Sequence, residues 1–191
     1  MKYDDVNDYV RQAQLPCDVQ FCPNGEFIQQ AIAIARSRPY LWTIRKAAIA
    51  RLLVQAEPQV GKIRLRFRLF FRQKAYASDS GEITLSLAYV NKADGAMLLR
   101  TILHEIGHIY ASRLAEYPQI LALAKTYNAT FGKNLIAMEP TEYVATSFSI
   151  AALLEVAKSA DEQTAEALKK QADGELKKLS DALNELKTTA I

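Results

Sequence analysis

An α+β fold is expected from three observations in this 191-residue chain. Apolar residues recur at helical spacing through most of it, and two short stretches near the middle switch to period two. Glycine and proline are scarce, at 7 and 6, which argues against a many-turned all-β protein. Together these predict N-terminal helices, a small and mainly antiparallel sheet, one helix lying across it, and helices to the C-terminus. Half of the residues are hydrophobic, so a real core can be buried. The net charge of +3 is too small to imply a nucleic-acid partner by itself.

Residues 2–14 read as a short polar helix, followed by a loop over 15–25 that holds Pro16, Cys17, Cys22 and Pro23. Phe27, Ala31 and Ile34 then mark a helix that stops before Pro39. Leu41, Ile44, Ala48, Ile49, Leu52 and Leu53 form the stripe of the next, over 40–56, with Pro58 ending it. From Lys62 to Leu69 basic and apolar residues alternate, which is a half-buried strand. Asp79-Ser80-Gly81 is a turn, and residues 83–87 alternate again, so the two strands are expected to pair antiparallel. Asp94 is suited to cap a helix over 95–114. Further helices are expected over 118–127 and from Pro140 onward, proline being favoured in a first turn.

In the last forty residues Leu168, Ala172, Leu176, Leu179, Leu183 and Leu186 step by fours and threes. This suits either a helical hairpin packed on its own domain or a self-association seam. The division expected is a domain over 1–155 and a C-terminal helical extension over 156–191. The first residues carry Asp4 and Asp5 and no apolar run, so neither a signal peptide nor a membrane partner is expected, and the cytoplasm is the expected compartment. There Cys17 and Cys22 should be free thiols.

The chemistry concentrates in residues 101–110, which contain His104-Glu105-Ile106-Gly107-His108. This is the H-E-x-x-H pattern, and it uses both histidines of the chain. On a helix, residues four apart differ by about 40° in rotation and about 6 Å in rise, so both imidazoles point the same way. Two neutral imidazoles so placed fill two corners of a tetrahedral Zn²⁺ site. Glu105, next to the first ligand, can serve a water at the metal as general base. Leu99, Ile102, Leu103 and Ile106 supply a separate face for burial.

With no histidine left, the third ligand should be a carboxylate, with a cysteine as the less favoured alternative. Glu116 is about 12 Å beyond His108 by rise, too far along the same helix. Glu142, in the first turn of the next-but-one helix, is favoured over Glu139, which is better placed as that helix's cap. Gly107, mid-helix, suggests a close approach by another backbone or by a ligand.

The H-E-I-G-H segment, followed by Glu142-Tyr143-Val144-Ala145-Thr146-Ser147-Phe148, resembles the gluzincins, zinc peptidases with a glutamate third ligand. It is most similar to the ImmA/IrrE-type metallopeptidases, whose second motif reads E-x-x-A-N-x-F-A. Thr146 stands at the asparagine position and Ser149 at the final alanine. The resemblance spans about residues 82–154. It implies a zincin-like fold and hydrolysis of an intracellular peptide or protein substrate. Zn²⁺ would be held by His104, His108 and Glu142, and Glu105 would move the proton. Tyr143 is the candidate for a second electrophile, and the strand 83–87 for holding an extended substrate by edge pairing.

Lys62, Arg64, Arg66, Arg68, Arg72 and Lys74 form a basic run without acids. Two readings fit: a site for an anionic partner, or a solvated edge strand protected by charge. The alternative function for the whole chain is therefore a catalytically relict zincin that binds or regulates through this strand and the C-terminal helices.

Overall fold

The computed structural model describes residues 3–69, 72–132 and 135–189. It is mostly helical, with one three-stranded mixed sheet, an α+β arrangement. In chain order the elements are α1 (Tyr3–Gln12), α2 (Gly25–Ala35), α3 (Trp42–Val60), β1 (Arg64–Arg68), β2 (Ala75–Ala77) and β3 (Glu82–Ser86). Then follow α4 (Leu87–Lys92), α5 (Gly95–Ala111), α6 (Tyr117–Phe131), a 3₁₀ turn (Ile136–Met138), α7 (Pro140–Ala157) and α8 (Glu162–Thr189).

The sheet departs from expectation. Its order is β1-β3-β2, and β1 pairs with β3 in parallel, Arg64 opposite Glu82 and Arg68 opposite Ser86. The antiparallel partner of β3 is β2, with Tyr76 opposite Thr84. The Asp79-Ser80-Gly81 turn therefore joins β2 to β3 rather than β1 to β3. Gly81 takes φ +82 there, a left-handed conformation that glycine adopts without strain. Ala-Tyr-Ala is too short and too small to show a period of its own, which is why β2 left no pattern in the sequence. The sheet is accordingly mixed, not mainly antiparallel.

α3 begins at Trp42 and runs past Pro58 to Val60. Leu41 and Ile44, assigned to its buried stripe, are exposed at 42% and 59%. Arg45 is buried in their place at 0%.

The core gathers one face of every helix from α1 to α8 except α6, which contributes Tyr127 and Ala124 near its end. α5 is its centre: Leu98, Leu99, Ile102, Leu103, Ile106 and Ile109 are fully buried. Asp94 caps α5, its carboxylate accepting from Ala96 N–H at 3.0 Å and Met97 N–H at 3.3 Å. α7 crosses α5 closely at Gly107, where a Cβ would lie 2.7 Å from the Ala145 carbonyl oxygen. No residue with a side chain fits that crossing without moving α7.

α8 runs unbroken through Gly174 and buries Leu168, Ala172, Leu179, Ala182, Leu183 and Leu186 in the common core. Leu176 is exposed at 36%. Glu175 of α8 pairs with Arg100 of α5 and with Lys178 at 2.8 Å. Both cysteines are free thiols. Among the described residues no helix is long and apolar enough to cross a membrane.

Candidate metal centre

His104 and His108 lie one turn apart on α5, and α7 presents Glu142 from its first turn. His104 Nε2 is 3.2 Å from His108 Nε2 and 3.2 Å from Glu142 Oε2, and His108 Nε2 is 3.5 Å from Glu142 Oε1. Three lone-pair-bearing atoms at such distances repel one another unless a proton or a cation sits among them. A tetrahedral ion with bonds of 2.0–2.1 Å has ligand-to-ligand edges of about 3.3–3.4 Å, so the donor set fits a metal ion. His104, His108 and Glu142 can hold one.

The protonation pattern suits that purpose. Burial, reinforced by the charge of His104, pushes His108 down to about 4, against the opposing charges of Glu142 and Asp79. His108 is therefore neutral at pH 7, with a lone pair to give. Glu142 is held below the ordinary glutamate value. Burial raises it, but the hydrogen bond to His104 and the charges of both histidines outweigh that cost. Behind the site, Thr146 Oγ1 lies 3.4 Å from His104 Nδ1. A hydroxyl accepting from Nδ1–H leaves Nε2 as the ligand atom, the usual outer-sphere arrangement of a metal histidine.

Glu139 does not join this group. Its Oε2 accepts from Thr141 N–H at 2.9 Å, Thr141 Oγ1–H at 2.6 Å and Glu142 N–H at 3.0 Å, which makes it the N-cap of α7. Capping the helix also sets Glu142 on the turn that faces α5.

Glu105 lines the same cleft and is buried at 7%. Burial pushes its carboxyl up to about 7; Glu142 adds to this, while His104 and a hydrogen bond from the Ala77 N–H oppose it. That N–H belongs to β2. Ser78 N–H and the Lys74 carbonyl bond to β3, so Ala75 and Ala77, between them in alternation, turn their backbone groups to the free edge beside α5. β3 itself has partners on both sides. The edge that can pair with an extended chain is therefore β2, not the strand 83–87.

Tyr143 is not brought to the cluster. One residue past Glu142, it is turned about 100° around α7. Its ring packs edge-on against Tyr9 at 6.0 Å, and its hydroxyl donates to the Gln14 carbonyl. The phenols that do line the cleft are Tyr76 of β2 and Tyr117 at the start of α6. Tyr117 donates to Asp79, and its pKa is raised well above the ordinary value by burial and by that carboxylate. Nothing in the local sequence marks Tyr117; its only signal is that it opens the first helix after the H-E-x-x-H helix. No family model, curated protein or solved structure matches this chain.

Proposed function

We propose that this protein is a zinc-dependent metallopeptidase with a zincin-like site of the glutamate-ligand type, acting on a peptide or protein substrate. The observation that carries the reading is the convergence of His104, His108 and Glu142 at 3.2–3.5 Å beside a buried Glu105. Zinc bound there would supply a Lewis acid for the scissile carbonyl and bring the pKa of a water towards about 7.

The chain's own residues would do the rest. Glu105, poised near neutrality, would take a proton from the attacking water and deliver it to the leaving amine. The free edge of β2 would align an extended substrate across the cleft, since Ala75 and Ala77 present backbone groups at the site. Tyr117 also lines the cleft, with its hydroxyl proton directed to Asp79.

The test is zinc titration of metal-stripped protein, followed by turnover of an unfolded protein substrate. Glu105→Gln should keep stoichiometric zinc and lose about 10²- to 10⁴-fold in rate. Failure to bind zinc, or turnover unchanged in Glu105→Gln, sinks the hydrolase reading. Zinc binding without any turnover by the wild type would leave the metal as a structural prop in a binding module.

A further inference from the structure

The metal cluster sits midway along a groove. One cavity, of about 430 Å³, is lined by Arg72, Lys74, Arg100 and Glu175 and shares Gln73, Ala75, His104 and Glu105 with the next. That second cavity, of about 340 Å³, continues through Thr141 and Glu142 into a third, beside Asn128, Gly132 and Ile136. A groove open at both ends, with reactive groups in the middle, suits a chain rather than a small molecule.

Its two ends differ in charge. The first holds cations without carboxylate partners, since its Glu175 is taken up by Arg100 and Lys178. Arg72 and Lys74 are exposed at its mouth, and Lys74 is held 5.6 Å over the Tyr89 ring. Arg68 is their neighbour in the sheet, opposite Ser86, whose N–H bonds to the Lys74 carbonyl. Among the described residues, ion pairs with carboxylates engage Arg36, Arg66, Arg100, Lys158, Lys177 and Lys178. Arg68, Arg72 and Lys74 are left free by them. Among the described residues the third cavity carries no cation: Asn128, Gly132 and Ile136 are neutral, and its charged groups are Glu139, which caps α7, and Glu142 of the cluster.

We propose that the groove selects polypeptide substrates carrying acidic residues on one flank of the cleavage point, the flank that crosses Arg72 and Lys74. This rests on the peptidase reading and adds the substrate class to it. A nucleic acid fits less well, because its charge is continuous and would have to pass Asp79 and Glu105 in the central cavity. An acidic segment confined to the Arg72 and Lys74 flank and followed by neutral residues meets Glu105 only at its boundary and places no charge beside Asp79.

The experiment uses the zinc-loaded full chain carrying Glu105→Gln and fluorescein-labelled peptides read by anisotropy. One peptide has a run of glutamates before a neutral core, a second has the run after it, and a third has glutamines in their place. One of the two acidic peptides should bind roughly threefold to tenfold tighter than the glutamine peptide at low salt. The advantage should shrink as ionic strength rises and vanish in Arg72→Glu with Lys74→Glu. Equal binding of all three peptides, no binding of any, or an advantage surviving the double charge reversal overturns the proposal. Tighter binding of a single-stranded oligonucleotide of the same charge also overturns it and assigns the cations to nucleic acid. Turnover by the wild-type enzyme separates the two levels. Charge-selective binding without cleavage would break the peptidase reading alone, and cleavage indifferent to charge would break this inference alone.

Discussion

Arg45 and the His104–His108–Glu142 cluster are both polar groups set into an apolar interior, and they are resolved in opposite ways. Arg45 is fully buried, yet its guanidinium donates to the Val90, Ala93 and Ser37 carbonyls at 2.7–2.8 Å and to Ser37 Oγ at 2.9 Å. The cation brings donors and the loop ends bring acceptors, so the site is complete as folded. It ties the loop after α2 to the C-terminal end of α4. In the cluster a ring proton can bridge His104 Nε2 to Glu142, but His108 Nε2, neutral and facing His104, keeps a lone pair that an added cation would engage. Polar satisfaction therefore separates the two: a closed site holds the fold together, and an open one is built to receive something.

That contrast predicts different responses to mutation. The largest effect should come from Glu142→Ala, which is expected to cut zinc affinity by more than about a hundredfold, beyond the loss typical of an outer-sphere change. The thermal stability of the metal-free protein should fall little, because the part-exposed Glu142 forfeits only its contacts with the two histidines. Calorimetric zinc titration beside a melting curve reads both quantities. If the metal-free variant unfolded as readily as an Arg45 variant, the cluster would be a structural network after all. Arg45→Met should do the reverse. It strands three buried carbonyls and should cost about 3 kcal/mol of folding free energy in urea denaturation, with zinc affinity of the folded fraction unchanged.

Gly107→Ala tests whether the open site depends on the α5–α7 crossing. The new methyl would press on the Ala145 backbone, and overpacking of this kind costs about 1–3 kcal/mol. Because α7 carries Glu142, zinc affinity should fall with stability, a coupling that Arg45→Met lacks. The smallest effect concerns Glu175, held below the ordinary glutamate value of 4.5. Its burial is outweighed by Lys178 and Arg100. A carboxyl depressed in the folded state stabilises above its unfolded pKa, and that contribution fades as pH falls through the folded value. Wild type should therefore lose melting temperature below about pH 4.5 more steeply than Glu175→Gln, while the variant melts lower at neutral pH. Parallel acid profiles would remove the α5–α8 ion pair from the stability account.

What the sequence determined by itself was local. The helical period around residues 95–111, the Asp94 cap, the four-residue spacing of the histidines and the glycine between them were all legible. Each depends on residues within a turn or two of one another. The histidine count also excluded a third histidine and pointed to a carboxylate, or less favourably a cysteine, as third ligand. Tertiary structure decided everything that required distant segments to meet. It turned Glu139 into a cap and Glu142 toward α5, two roles that neighbouring glutamates in one sequence window could have exchanged. It sent Tyr143 to α1 and brought Tyr117 to the cleft. It slipped β2 in as the strand beside the site and set β1 parallel to β3. The physical reason is common to all of these. Periodicity records which face of an element is buried, but which element covers that face is settled only when the whole core closes.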